Sequence, residues 1–502
     1  MPDNCSGLKQ LNKKRSSIER FFVLFVIVFK MKTNKIIFLL LFIPVTFFSQ
    51  FYTADTLITN LSYPVAFAFL PDGNVMITLK EGPVKIYTLN NTIVSQVWNF
   101  TDSCVSDGER GVLGICADPQ FTVNRYIYIY YVHAIPPLPT EPQWLRVVRL
   151  TLNANNTGGN PFIVFNHPVE VIGCCHVGGN VHFGHDGKLY LTLGETNNQP
   201  AAQSKVTPLG KILRMNSNGT APTDNPFYDD GNPNSGNDDR IWCMGLRNSF
   251  DFCFSPINDS LYATENGLIT ADEVNYIRKG KNYGWPICEG YCNPPVDSFT
   301  QPMHTWSPTI AVTGIMVYQG TQYPELNGRL LVADNKNGRI YKCELGRAPA
   351  YDTIISRTQI IELGPLTSLM QGTDGFIYVL NGGYEPSGKL HRIRPSSIGV
   401  NNNQQEVPGG FVLYQNYPNP FNPKTIINYQ LTMSNYVMLT IYDLIGREVA
   451  VLVSQKQNEG NYKVEWDASN YPSGVYFYKL TVRQAGSSTG NFSAEKKMVL
   501  LK

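Results

Sequence analysis

Few stretches of this 502-residue chain space their side chains for chemistry, and each has an ordinary reading beside the reactive one. The densest is the acidic loop Asp229-Asp-Gly-Asn-Pro-Asn-Ser-Gly-Asn-Asp-Asp239, whose oxygens suit a hard cation such as Ca2+. It lacks the glycine at the sixth position and the glutamate at the twelfth that an EF-hand requires, so it reads as a solvated loop. The 10 cysteines fit an oxidising compartment. None forms a C-x-x-C pair, which excludes the usual zinc spacing. Cys288 and Cys292 flank a Glu-Gly-Tyr turn and are placed to bridge; Cys243 and Cys253 flank a strand turn and are placed to meet. No nucleophile stands with a base and an acid in a way that supports a hydrolytic reading. Taken singly, His176 is a loop histidine, Arg247 an arginine for a structural ion pair and Lys336 a turn lysine in water.

These residues sit in a repeating frame. An alternating apolar strand, a tight turn with Asp, Asn or Gly, and a second alternating strand make one unit. It occurs at Val65-Ala-Phe-Ala-Phe-Leu-Pro-Asp-Gly-Asn-Val-Met-Ile-Thr, around Pro119 with residues 126–131, and at Val181-His-Phe-Gly-His-Asp-Gly-Lys-Leu-Tyr-Leu-Thr. It returns over residues 252–264, 314–333 with the Asn327-Gly328 turn, and 369–380 with Asp374-Gly375. Asp-Gly and Asn-Gly supply the positive φ of a hairpin, and period-2 alternation marks strands with one buried face. Six units, separated by roughly 45 to 75 residues, predict a six-bladed β-propeller of about four strands per blade over residues 51–395. The absence of long helical patterns argues against doubly wound or TIM-barrel folds. Residues 396–410, with Asn401-Asn-Asn-Gln-Gln, read as a polar linker. Strands over 425–431, 437–442 and 475–482 predict a small antiparallel β-sandwich across 411–502.

Lys+Arg 41 against Asp+Glu 39 leaves no basic footprint, which argues against a nucleic-acid partner. Residues 1–50 hold two apolar runs, 21–29 and 36–48, both too short for a membrane-spanning helix. The second follows Met31-Lys-Thr-Asn-Lys, the layout of a secretory signal peptide cleaved near Ser49–Gln50, with Met31 as the true start. Removal of Cys5 with that leader leaves an odd number of cysteines, so at least one stays unpaired or pairs externally. The expectation is an exported chain, secreted or held at the cell surface, with no transmembrane span once mature.

The C-terminal unit resembles the sorting domain of type IX secretion substrates. The resemblance rests on Tyr417-Pro-Asn-Pro-Phe-Asn-Pro, Ile441-Tyr-Asp-Leu-Ile-Gly-Arg-Glu-Val, Ser473-Gly-Val-Tyr-Phe-Tyr-Lys-Leu and the ending Lys496-Lys-Met-Val-Leu-Leu-Lys. It implies a partner in the type IX outer-membrane machinery. The propeller carries Gly108-Glu-Arg-Gly-Val-Leu-Gly, His176-Val-Gly-Gly, Gly184-His-Asp-Gly-Lys-Leu-Tyr, Leu209-Gly-Lys-Ile-Leu-Arg, Gly245-Leu-Arg-Asn, Asp272-Glu-Val-Asn and Asn282-Tyr-Gly-Trp-Pro. On these it resembles the glucose/sorbosone dehydrogenases, a group that includes soluble enzymes using pyrroloquinoline quinone (PQQ) and the hedgehog-interacting-protein-like propellers.

That resemblance implies hydride transfer from C1 of an aldose or related sugar to PQQ. His176 then matches the family's base and Arg247 its electrostatic stabiliser, the two catalytic positions. Lys336, Asn248, Asn266 and Glu109 fall at cofactor-binding positions. The backbone carbonyls of Gly267 and Leu268 fall where Ca2+ is held. The chain departs from the glucose-oxidising branch at Cys175 (Asp there), Asn180 (Arg) and Glu109 (Gln). Pro365 and Thr367 stand where that branch has a pair of cofactor-binding arginines, which predicts weaker PQQ binding by about 1.5–3 kcal/mol per lost charge-assisted bond. The alternative is a non-catalytic surface propeller that binds glycan or protein.

Overall fold

The computed structural model describes residues 23–30, 36–43, 52–136, 138, 142–169, 175–293, 295–395, 411–416, 418–431, 434–444, 446–483 and 491–502. The expected leader cleavage at 49–50 and the linker at 396–410 lie outside them. The chain divides into two compact units, Met1–Ile398 and Gly399–Lys502. Val23–Lys30 and Ile36–Ile43 pair as an antiparallel ladder. No helix among the described residues is long and apolar enough to cross a membrane.

The first unit contains six four-stranded antiparallel blades among the described residues. Blades 1 to 5 begin with the strands Pro64–Phe69, Val112–Ala117, Val181–Phe183, Ser249–Phe254 and Val312–Val317, and each runs through its four strands in chain order. Blade 6 takes Leu366–Gln371, Ile377–Asn381 and Gly388–Pro395, then borrows Tyr52–Leu61 from the N-terminal side as its outer strand. Each repeat read from the sequence is the first hairpin of a blade. Its turns work as expected: Gly73, Gly187 and Gly375 have φ of +84°, +71° and +80°. The preceding Asp in each case accepts the backbone N–H of the residue after the glycine (Asn74, Lys188, Phe376).

The expectation of one buried face per strand is corrected. Val75–Leu79, Leu189–Leu193, Leu261–Glu265, Leu330–Asp334 and Ile377–Asn381 are buried at every residue. Alternation sorts their side chains between two neighbouring blades, because blades stack face to face. In blade 2, Ile127, Ile129 and Tyr131 enter the core shared with blade 1, while Tyr128, Tyr130 and Val132 enter the core shared with blade 3. In blade 6, Ile377 and Val379 face blade 5, and Tyr378 and Leu380 face blade 1. Tyr52–Leu61 serves both sides: Tyr52 joins the core between blades 5 and 6, and Ile58 and Leu61 join that between blades 6 and 1.

Cys288 and Cys292 form a disulfide. Cys243 and Cys253 do not, contrary to expectation; both are free thiols. They sit on strands of different blades, and Cys243 packs between blades 3 and 4 while Cys253 packs against the core between blades 4 and 5.

In the second unit, Phe411–Leu413, Lys424–Leu431 and Gly460–Asp467 form one sheet, and Asn435–Asp443, Glu448–Gln457, Gly474–Arg483 and Asn491–Leu500 form another. Both feed one core that includes Ile427, Trp466, Leu439, Tyr478 and Leu480, an antiparallel sandwich.

The shared cores predict unequal effects of two truncations. Removal of Tyr52–Leu61 strips three side chains from two cores, at roughly 1.5–3 kcal/mol each, and leaves an open sheet edge. The cooperative melt measured by circular dichroism should be lost or fall steeply. A chain ending at Pro395 should keep the propeller's melting transition, because the sandwich has its own core.

Candidate active site

In an antiparallel blade, the entry to strand one and the exit from strand two lie at the same end. Around the ring these connections enclose a cavity of about 320 Å3, to which all six blades contribute. Entry segments supply Glu109, His176, Gly178, Arg247, Asn248, Thr309 and Ala311; exit segments supply Lys80, Asn266, Gly267, Leu268, Asn335 and Tyr384.

His176 is the best-held of these residues. Its φ is +63°, a conformation that costs a non-glycine residue on the order of 1–3 kcal/mol. The backbone is fixed at both ends: its N–H donates to Glu109 Oε2 at 2.7 Å, and its carbonyl accepts Thr196 N at 2.9 Å. The two glycines that follow are required by close approach. A Cβ on Gly179 would lie 1.9 Å from the carbonyl oxygen of Phe250, and one on Gly178 would lie 2.4 Å from that of Thr192. Tyr130 of blade 2 donates to the Val177 carbonyl, tying the loop to the neighbouring core.

The imidazole lies in a chain of three groups. Nδ1 is 2.9 Å from Glu195 Oε1, and Nε2 is 2.7 Å from Arg247 Nη2. A guanidinium can only donate, so Nε2 is the acceptor and the ring proton sits on Nδ1, directed at Glu195. His176 is therefore a neutral imidazole whose basic nitrogen faces a cation. Glu195 is fully buried with Oε2 unpartnered, so it stabilises any positive charge that the ring acquires.

Arg247 is fixed from several directions. Nη1 donates to the carbonyls of Asn266 and Gly267 at 2.9 and 2.8 Å, and the guanidinium lies 5.5 Å from the Trp285 ring centroid. Beneath it, Glu265 Oε1 accepts the backbone N–H groups of Arg247 and Asn248, each at 2.6 Å. Burial, then the charge of Glu273, pushes the Glu265 carboxyl up to about 8, against the two backbone donors on Oε1.

Cations and anions differ in how they are satisfied. Glu109 Oε2 is taken by His176 N and Asn248 Nδ2. Asp272 accepts Gly267 N, Ile310 N and Ala311 N, and burial still holds its carboxyl above the usual range. By contrast Lys80, 8% exposed, donates to the Gly108 carbonyl, lies 4.7 Å over the Tyr384 ring and makes no ion pair among the described residues. Burial pulls its ammonium below the ordinary range, against Asp107, Glu109 and Glu81. Arg247 likewise makes no ion pair among the described residues, and its Nε is buried without an acceptor.

Of the residues singled out in the sequence, His176, Arg247, Asn248, Asn266, Glu109, Gly267, Leu268 and Thr367 line the cavity. Lys336 does not; it is exposed, with Nζ 3.3 Å from the Thr309 carbonyl, while its neighbour Asn335 lines the wall. Pro365 is not among the lining residues; its carbonyl accepts Asn381 Nδ2 at 2.8 Å. The Gly267 carbonyl, expected to meet Ca2+, already accepts Arg247. Asn180 is bound to buried Asp251 at 2.9 Å. The sequence does not single out Lys80, Glu195 or Tyr384, and Asp272 enters there only as part of the Asp272-Glu-Val-Asn motif. The signal for Lys80, Glu195 and Tyr384 was position: each follows the second strand of a repeat.

Residues 61–392 match the Glucose / Sorbosone dehydrogenase family, and residues 415–493 match the Secretion system C-terminal sorting domain. The chain is 28% identical to an aldose sugar dehydrogenase of Escherichia coli, over 68% of this chain and 92% of that one. It is 29% identical to quinoprotein glucose dehydrogenase B of Acinetobacter calcoaceticus, over 48% of this chain and 54% of that one. The solved apo-form of the soluble Escherichia coli aldose sugar dehydrogenase superposes with a TM-score of 0.61 at 26% identity, covering 68% of this chain and 99% of that one.

The close approach at Gly179 predicts that Gly179→Ala destabilises the chain by about 2–3 kcal/mol, read as a lower urea midpoint. Gly187→Ala, where a Cβ meets nothing within 4 Å, should cost only the strain of its positive φ.

Proposed function

Because the chain belongs to the glucose/sorbosone dehydrogenase family, we propose that it is an exported sugar dehydrogenase that oxidises an aldose or related sugar at C1, with PQQ as acceptor. The observation that carries this reading is the contact between the basic nitrogen of His176 and Arg247, with Glu195 behind the ring. Removing hydride from a carbon that bears a hydroxyl requires loss of the hydroxyl proton. His176 Nε2 takes that proton and Glu195 steadies the imidazolium. Arg247, freed from Nε2 as the ring takes the proton, turns its Nη2 donor toward the negative charge that develops.

The cavity suits a flat polyanion such as PQQ. Lys80 and Arg247 are cations without carboxylate partners, and the acids on the wall are occupied by N–H donors. Lys80, Arg247, Asn248 and Asn335 would hold the cofactor, and Tyr384 offers a ring at its edge. Bound there, PQQ supplies the hydride acceptor. The Gly267 carbonyl is engaged by Arg247, so no step here is assigned to Ca2+. A second reading, a propeller that holds glycan or protein without turnover, draws on uncharged Thr367 and on Glu109 in the same wall. The sorting domain supports type IX export to the cell surface or beyond.

Variants separate these roles. His176→Ala should abolish aldose-dependent dye reduction while PQQ still binds, because a positioned base contributes about 10²–10⁴-fold in rate. Lys80→Met should weaken PQQ binding about ten- to a hundredfold in a fluorescence titration, and Lys336→Ala by less. A wild-type chain that binds no PQQ would favour the second reading.

For the tail, a chain ending at Pro395, expressed in a host with type IX machinery, should accumulate in the periplasm. Immunoblots of cell fractions would show it, and normal surface delivery would contradict the export assignment.

A further inference from the structure

The long connection between the third and fourth strands of blade 3, Lys211–Met215 and Ile241–Met244, does not behave as a solvated loop at its end. Asp239 is fully buried, while Asp229 and Asp230 are exposed. One oxygen from each of the three carboxylates lies within 4.8 Å of the others. The loop is ordered around them: Asp239 Oδ1 accepts Asp229 N at 2.5 Å, Asp229 Oδ2 accepts Asn237 N at 2.8 Å, and Asp230 Oδ2 accepts Ser235 Oγ at 2.6 Å.

The remaining oxygen of the buried acid, Asp239 Oδ2, has no hydrogen-bond partner. No basic side chain among the described residues pairs with any of the three. Arg240, the adjacent cation, is committed to Asp238 through two contacts at 2.8 and 2.7 Å, and Arg214 to Asp186 and Asp224. A buried oxygen without donor or cation, on a carboxylate that stands within 4.8 Å of two more, lacks a compensating charge.

We propose that Asp229, Asp230 and Asp239 form a Ca2+ site, separate from the cavity, that fastens this connection to the outer strand of blade 3. The all-oxygen donor set, with no histidine or cysteine, selects a hard cation. Two exposed ligands leave room for water in an irregular sphere, which Ca2+ tolerates better than Mg2+. Extracellular modules bind Ca2+ at roughly 10⁻⁴–10⁻³ M, a range suited to an exported chain.

The test is calorimetric titration of Ca2+ into the full chain, stripped with chelator and free of PQQ, alongside melting curves with and without Ca2+. The wild type should take up Ca2+ and melt higher with it. Asp239→Asn, nearly isosteric and relieved of a buried charge, should fold, melt at least as high in chelator, and lose one bound Ca2+ per chain or at least tenfold in affinity. Asp229→Asn with Asp230→Asn, at exposed positions, should do the same should Asp239→Asn not fold. Absence of Ca2+ uptake by the wild type at 10 mM, or uptake by both variants equal to wild type, overturns the site.

Discussion

In a closed propeller the side chains that cover one face of a blade belong to its neighbour. Among the described residues six cores are each shared by two blades, and strands such as Val75–Leu79 and Leu330–Asp334 are buried on both sides. No blade is stable alone, since losing one exposes apolar surface on two others. Closure falls to Tyr52–Leu61, which pairs with Gly388–Pro395 and places side chains in both adjoining cores. Once the ring is closed, the loops at one end have little freedom, and groups from six separate stretches of chain are brought into a common cavity.

The electrostatics of the cavity follow from how those loops are pinned. Acids hold backbone: buried Glu265 the entry to blade 4, buried Asp272 the entry to blade 5 and half-buried Glu109 the backbone of His176. Acids used in this way accept from backbone N–H groups and form no ion pair with Lys80 or Arg247. The same pinning fixes the tautomer of His176, since Glu195 and Arg247 leave one arrangement of its proton. A histidine, a cation beside it and a second cation without a carboxylate partner in the same cavity wall are thus a product of the scaffold.

Much of this was legible in the sequence because turn chemistry repeats. Asp-Gly turns and alternating strands marked six hairpins, and His176-Val-Gly-Gly and Arg247-Asn stood out by resemblance. The strand alternation was misread as inside against outside, because a sequence does not say that both faces will be covered. Lys80 and Glu195 were passed over since each looks like an ordinary strand end; only convergence around an axis gives them a role. At Lys336 the register differs by one residue: Asn335 lines the wall, while the lysine is exposed with Nζ on the Thr309 carbonyl. Asp239 looked like one more solvated acid, and its burial follows from its position next to Ile241–Met244.

The proposed reaction removes hydride from C1 while His176 takes the hydroxyl proton. Its most direct test is single-turnover reduction of the PQQ-loaded chain by an aldose carrying deuterium at C1, followed by quinone absorbance. Reduction should be slower with deuterium than with hydrogen, and absent with the same sugar methylated at its C1 hydroxyl. Equal rates for the two isotopes, or a PQQ-loaded chain that no aldose reduces, would contradict it.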